Sequence, residues 1–188
     1  MKTLRDEKIE NMWKLRKLGR YSFLRHLAKY VFSICYYTGR VITIRRGSLK
    51  GYKWLCNCNQ QFWMPLGLYE SETADWLERH VGNGATFFDV SANAGYFTLL
   101  GSKCVGAGRV IAFEPIPVNV EMIKSNLELN GIGNVIVEPR AVSDKTAACD
   151  FAIEKNTANS HLAEIAISHA QSAVAGVIRV ESIRLDDY

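Results

Sequence analysis

Two carboxylates, Asp89 and Glu114, each close a short apolar run, and they stand 25 residues apart in the chain. Asp89 is followed by the loop Ser91-Ala92-Asn93-Ala94-Gly95. Small residues there let a ligand approach the backbone closely, and a helix that follows offers its unbonded N–H groups. Glu114 ends the run Arg109–Phe113 and precedes Pro115, where its carboxylate is placed to accept hydrogen bonds from both hydroxyls of a ribose. A third feature, Ala141-Val142-Ser143-Asp144, follows another apolar run and offers small apolar flanks to an adenine ring. Each has a plainer reading: Asp89 as a turn residue, Glu114 as a solvated strand end, Ala141 and Val142 as core. Their conjunction favours a nucleoside site beyond the carboxyl ends of parallel strands.

The ligand class follows from what stands in the loop. A dinucleotide fingerprint needs G-x-G-x-x-G to seat a pyrophosphate, and Ser91, Asn93 and Tyr96 occupy those spacings instead. No G-x-x-x-x-G-K-[ST] run occurs. An acidic residue at the loop entrance suits a ligand bearing a cationic amine and a sulfonium better than one bearing phosphates. The residues therefore favour S-adenosylmethionine over a nicotinamide or flavin cofactor, and an oxidoreductase is the disfavoured class.

Alternating elements must position these groups. Ala85–Val90, Arg109–Phe113 and Asn134–Glu138 read as strands, the first two as nearly continuous apolar runs expected to be covered on both faces. Helices are predicted over Tyr96–Cys104 and Val118–Leu129, the second ended by Gly131. Strand, helix, strand, helix, strand predicts a parallel α/β sheet. Upstream, Ser71 reads as the N-cap of a helix to about Val81. Residues 41–66 read as short antiparallel strands carrying Trp54, Phe62 and Trp63. Downstream, Cys149, Phe151 and Ile153 alternate as an edge strand, Asn156–Gly176 reads as a loop or weak helix, and Val177–Val180 as one more strand. The expected organisation is a basic amphipathic helical extension over residues 1–40, short strands and a lead-in helix over 41–84, and the N-terminal half of a Rossmann-like domain over 85–188.

Charge is segregated along the 188 residues: residues 1–53 hold 14 Lys and Arg against 3 Asp and Glu, the remainder 9 against 16. The basic part is expected either to meet an anionic surface, with phospholipid favoured and no specific nucleic acid implied, or to be a solvated face. No signal peptide or 20-residue apolar span is evident, so a cytoplasmic, membrane-peripheral location is expected. The five cysteines, 35, 56, 58, 104 and 149, fit no disulfide framework and no zinc set, and no metal is expected.

At the same residues the chain resembles the FkbM-type methyltransferases. The resemblance rests on Asp89-Val90-Ser91-Ala92-Asn93-Ala94-Gly95-Tyr96-Phe97-Thr98-Leu99, Val110-Ile111-Ala112-Phe113-Glu114-Pro115-Ile116-Pro117, Asn126-Leu127-Glu128-Leu129-Asn130-Gly131 and Ala141-Val142-Ser143-Asp144. Gly67-Leu68-Tyr69-Glu70 is similar to the family's lead-in. It implies a Rossmann-like methyltransferase fold that binds S-adenosylmethionine, with Asp89, Ser91, Asn93, Gly95, Tyr96, Phe97 and Thr98 around the methionine part. Glu114 and Pro115 would serve the ribose, and Ala141 and Val142 the adenine. The implied reaction is methyl transfer to a hydroxyl of a sugar, lipid or polyketide-like acceptor.

Two departures stand out. Ser91 occupies a family glycine position, which matters if that residue needs a positive φ. The chain also ends at Tyr188, before the family's next core strand, so the sheet is expected to be C-terminally truncated, with strand one an exposed edge open to self-association. A non-catalytic cofactor-binding or interaction fragment is the alternative reading. No catalytic base is assigned: His26, His80, His161 and His169 lie in no motif, and Glu70 reads better as structural.

Overall fold

The computed structural model describes residues 38–57, 64, 67–154, 161–162 and 174–188. The expected helices before Tyr37, together with Phe62 and Trp63, lie outside them.

The hairpin comes first. Val41–Thr43 (β1) pairs antiparallel with Lys53–Leu55 (β2), and Trp54 is fully buried beneath it. Helix α1 follows over Ser71–His80, and Ser71 is its first residue rather than its N-cap. Glu70 takes the cap position at φ 37°, without a side-chain capping hydrogen bond.

The expected alternation is present. Strands β3 (Thr86–Val90), β4 (Arg109–Phe113) and β5 (Val135–Glu138) form a parallel sheet in that order, with helices α2 (Tyr96–Val105) and α3 (Pro117–Leu129) between them. Helix α3 starts with Pro117 in its first turn, where a missing N–H costs nothing. It ends in a Schellman turn: Ile132 N donates to Leu127 O and Gly131 N to Glu128 O, with Gly131 at φ 63°.

In-register partners on parallel strands share a face, which separates two sets of residues. Phe87, Asp89, Val110 and Ala112 lie on one face. There the Phe87 ring lies so close to Gly101 of α2 that a Cβ would sit 2.4 Å from it. Phe88, Val90, Ile111 and Phe113 lie on the other. There the β4 pair is covered by Val142 and Ile183, and among the described residues the Tyr188 ring meets both Phe113 and Phe88 edge-on, at 5.2 and 6.1 Å between centroids. Phe88 and Val90 stay 42% and 44% exposed. The expectation that strand one is covered on both faces is therefore corrected. At the end of the sheet, β3 receives a layer on the α2 side, whereas on the opposite side among the described residues only the edge of Tyr188 reaches Phe88.

The second layer is a mixed sheet ordered β6-β9-β7-β8, from Ala141–Val142 (β6), Ala148–Glu154 (β7), His161–Leu162 (β8) and Val174–Ile183 (β9). Strand β6 pairs parallel with β9, and β7 pairs antiparallel with both β9 and β8. The Cys149–Ile153 segment is thus an interior strand, not the expected edge. Phe151 packs with Ile116, Ala141 and Val180, and Ala152 on the opposite face is buried as well. Strand β9 begins three residues before the expected Val177 and ends three after Val180. The expected loop-or-helix segment therefore includes β8 and the first residues of β9. Residues 38–188 form one compact unit. No described helix is long and apolar enough to cross a membrane.

Candidate functional site

The carboxyl ends of β3 and β4 are neighbours, Val90 opposite Phe113, and the loop after β3 folds across both. Ala92 N donates to Phe113 O at 3.0 Å. Asn93 N donates to Glu114 Oε2 at 2.7 Å. Gly95 N returns to Ala92 O at 2.9 Å. To make this path the loop enters the left-handed region three times, at Ser91 (φ 62°), Asn93 (φ 52°) and Gly95 (φ 87°). Asn tolerates that region and Gly favours it, but Ser pays a steric cost of about 1 kcal/mol. The position of Ser91 does require a positive φ, so its departure from glycine carries strain. Gly95 is doubly constrained, because a Cβ would also come within 3.1 Å of Ile123 in α3.

Helix α2 starts directly after the loop, and its first ladder bond is Leu99 N to Gly95 O. The amides of Tyr96, Phe97 and Thr98 therefore precede the ladder. Thr98 is fully buried and its Oγ1 donates to Asp89 Oδ2 at 2.6 Å. Asp89 is 8% exposed, and burial pushes its pKa up to about 6 despite the Thr98 hydrogen bond.

Glu114 is 3% exposed. Burial raises its pKa, while hydrogen bonds from Ile116 N, Asn119 Nδ2 and Asn93 N oppose the rise and the charge of Asp89 adds to it. The Oε1 atom accepts from Ile116 N at 3.0 Å and Asn119 Nδ2 at 3.2 Å, and Oε2 accepts from Asn93 N. A carboxylate has about four acceptor directions, so one remains on Oε2. This narrows the ribose expectation from two hydrogen bonds to one. Pro115 is buried beside it.

Asn93 Oδ1 is a buried acceptor with no hydrogen-bond partner. An orphaned acceptor beside two buried carboxylates, in a loop of small side chains, fits a ligand that brings N–H or O–H donors and positive charge. It does not fit a phosphate. Among the described residues no group of three or more His, Cys, Asp or Glu is placed to hold a metal.

The remaining expected residues divide. Tyr96 is 2% exposed and, with Phe97, forms an aromatic cluster with Tyr69 at 5.2 and 5.8 Å between ring centroids. Burial first, then Glu70 and Asp89, raises the Tyr69 hydroxyl to about 12. Ala141 is 4% exposed and sits in the core with Ile116, while Val142 packs on the Phe113 face of the sheet. His80 bonds Trp76 O on the exposed side of α1.

Three contributors have no role that the sequence alone assigns: Asn119, Tyr69 and Asn126. Asn119 is visible there as a polar residue between Val118 and Val120 in the first turn of α3. Tyr69 and Asn126 stand inside family-like motifs, which name no partner for them.

The chain is similar to known proteins over this region. The profile of a family described as Methyltransferase FkbM domain matches residues 89–188. Among solved structures, an S-adenosylmethionine-dependent methyltransferase from Aquifex aeolicus is 26% identical over 40% of this chain and 39% of its own, with a TM-score of 0.34. An S-adenosylmethionine-dependent O-methyltransferase from Thermotoga maritima is 21% identical over 58% and 44%, with a TM-score of 0.39. A tRNA (uracil-54, C5)-methyltransferase from Pyrococcus abyssi, in complex with S-adenosylhomocysteine, is 18% identical over 46% and 21%, with a TM-score of 0.36. The chain thus spans less than half the length of each of these structures. No curated protein is similar enough to match.

Proposed function

The chain belongs to the family of FkbM methyltransferase domains, and on that premise we propose that it transfers a methyl group from S-adenosylmethionine to a hydroxyl oxygen of a small-molecule, glycan or lipid acceptor. The observation that carries the cofactor part is the buried acidic pair Asp89 and Glu114 beside the orphaned Asn93 Oδ1. When bound, S-adenosylmethionine supplies an electrophilic methyl group on a positively charged sulfur.

The chain's own residues hold and orient. Asp89 and Glu114 give the loop a negative field in a low-dielectric setting, where a cation is worth more than in water. Asn93 Oδ1 accepts a hydrogen bond from the amino group of the methionine part. The remaining lone pair on Glu114 Oε2 takes one ribose hydroxyl, while Ala141 and Val142 flank the adenine. Tyr96 and Phe97 close the apolar side of the loop. Positioning of this kind is the main protein contribution to an in-line displacement. The acceptor's proton leaves to solvent or to a base that this site does not identify.

Beyond the cofactor loop, the exposed Arg45, Arg46 and Lys50 continue the basic character of residues 1–53 and suit peripheral contact with an anionic membrane. The partly exposed Phe88 and Val90 of β3 suit self-association.

Calorimetry tests the cofactor reading. S-adenosylhomocysteine or S-adenosylmethionine should bind more tightly than NAD. Equal or reversed preference overturns it.

A further inference from the structure

We propose that Asn126 is a positioning residue for the cofactor loop, and that through it the β1–β2 hairpin braces that loop from behind. The inference rests on reading residues 91–95 as the cofactor cradle.

Asn126 lies on α3 and is fully buried. Its amide is used in two directions. Oδ1 accepts from Leu55 N of β2 at 2.8 Å, and Nδ2 donates to Ala94 O at 3.2 Å. Ala94 sits between the two left-handed residues Asn93 and Gly95. A fixed Ala94 carbonyl therefore fixes the Ala94–Gly95 peptide plane, next to the residue whose Oδ1 is orphaned. One turn later, Asn130 bonds the same strand edge but not the loop. Its Oδ1 accepts from Lys53 N at 2.8 Å, and its Nδ2 donates to Lys53 O at 2.8 Å and Asn126 O at 2.7 Å. The two asparagines thus stand in for a third strand beside β2, and only the first hands the contact on to the cradle.

The hairpin has a second anchor independent of α3. Lys103 Nζ of α2 bonds Ser48 O at 2.8 Å and Glu78 Oε1 of α1 at 2.7 Å, and Ser48 Oγ bonds Glu78 Oε2 at 3.1 Å. Loss of the Asn126 contact therefore loosens the loop without releasing the hairpin.

The pair of asparagines provides its own control. Asn126→Asp keeps the acceptor for Leu55 N but replaces the donor to Ala94 O with an oxygen. Asn130→Ala removes hairpin contacts and leaves Ala94 untouched. In the full chain, Asn126→Asp should weaken S-adenosylhomocysteine binding by about 10-fold or more and speed amide exchange across residues 91–95. Asn130→Ala should lower the melting temperature yet change that affinity by less than about 2-fold.

If both variants lose affinity in proportion to their loss of stability, Asn126 is merely structural and the proposal fails. Should Asn126→Asp not fold, the wild-type chain decides by NMR. The side-chain amide protons of Asn126, and not those of Asn130, should shift and exchange more slowly on adding S-adenosylhomocysteine. Unchanged Asn126 signals, with shifts at Asn93, overturn the brace. If the wild-type chain does not bind S-adenosylhomocysteine at all, the cofactor reading itself falls.

Discussion

The backbone amide of Asn93 donates to Glu114 Oε2 across 2.7 Å, so the loop after β3 and the residue after β4 form one hydrogen-bonded unit. Two candidate ligand groups from separate motifs are already joined before a ligand arrives. This junction sets what substitutions on either side should do.

Removing the Glu114 carboxylate has two consequences. Glu114→Ala leaves Asn93 N, Ile116 N and Asn119 Nδ2 without their acceptor, and a buried unsatisfied donor costs about 1–3 kcal/mol. Stability should fall by about 2–4 kcal/mol, because the three losses share one relaxing cavity and do not add in full. Urea unfolding reads this as a lower midpoint at constant slope. Affinity for S-adenosylhomocysteine should drop about 10- to 100-fold in the fraction that remains folded. An unchanged midpoint refutes the hydrogen-bonded junction, and an unchanged affinity removes Glu114 from the ribose.

Ser91 offers the opposite effect. At φ 62° it carries a side chain where glycine is favoured. Ser91→Gly should raise stability by about 0.5–1 kcal/mol, or roughly 1–4 °C in a domain of this size. Cofactor affinity should hold or improve, since the loop path is kept with less strain. A lower melting temperature would mean that the serine hydroxyl contributes more than the strain it imposes.

Asp89 makes the apo protein sensitive to pH. Its folded pKa of about 6 stands above the ordinary 3.8, so its contribution to stability is complete below about pH 4 and is lost as pH rises through 6. That difference corresponds to about 3 kcal/mol at most, and the raised Glu114 acts with the same sign. Asp89→Asn should therefore flatten the melting temperature between about pH 4.5 and 7 relative to wild type. Positive charge in the ligand reverses the preference: S-adenosylmethionine should gain affinity over that range, and gain more than the less cationic S-adenosylhomocysteine. Identical pH profiles for wild type and Asp89→Asn would show that Asp89 is not the titrating group.

The basic segment has a direct test. Residues 1–53 should bind vesicles containing anionic lipid at low ionic strength and release them as salt screens the attraction. Equal binding to neutral and anionic vesicles, or none to either, leaves the charge as a solvated face.

Much of the loop after β3 is legible in the sequence because its causes are local. The runs Phe87–Val90 and Val110–Phe113 specify strands by composition, Gly131 ends α3 through its own φ, and small residues at 91–95 mark a tight crossing whatever surrounds it. Even the strain at Ser91 can be anticipated once the resemblance puts a glycine at its position, since a demand for positive φ belongs to one residue.

Partners distant in the chain are not legible. Asn126 and Asn130 stand in a motif, but nothing near them says that they bond Leu55 and Lys53, 71 and 77 residues away. Cys149–Ile153 alternates as any half-buried strand does, and only the pairing with β9 and β8 makes it interior. The exposure of Phe88 and Val90 depends on where the second sheet stops. By itself, the sequence determined strands β3 to β5, helices α2 and α3 and the loop between β3 and α2, because φ preference and side-chain periodicity act within a few residues. Tertiary structure decided which strand is an edge, how many acceptor directions Glu114 has left and which asparagine reaches the loop. Those outcomes depend on which hydrogen-bonding groups meet after folding, and local sequence does not encode that.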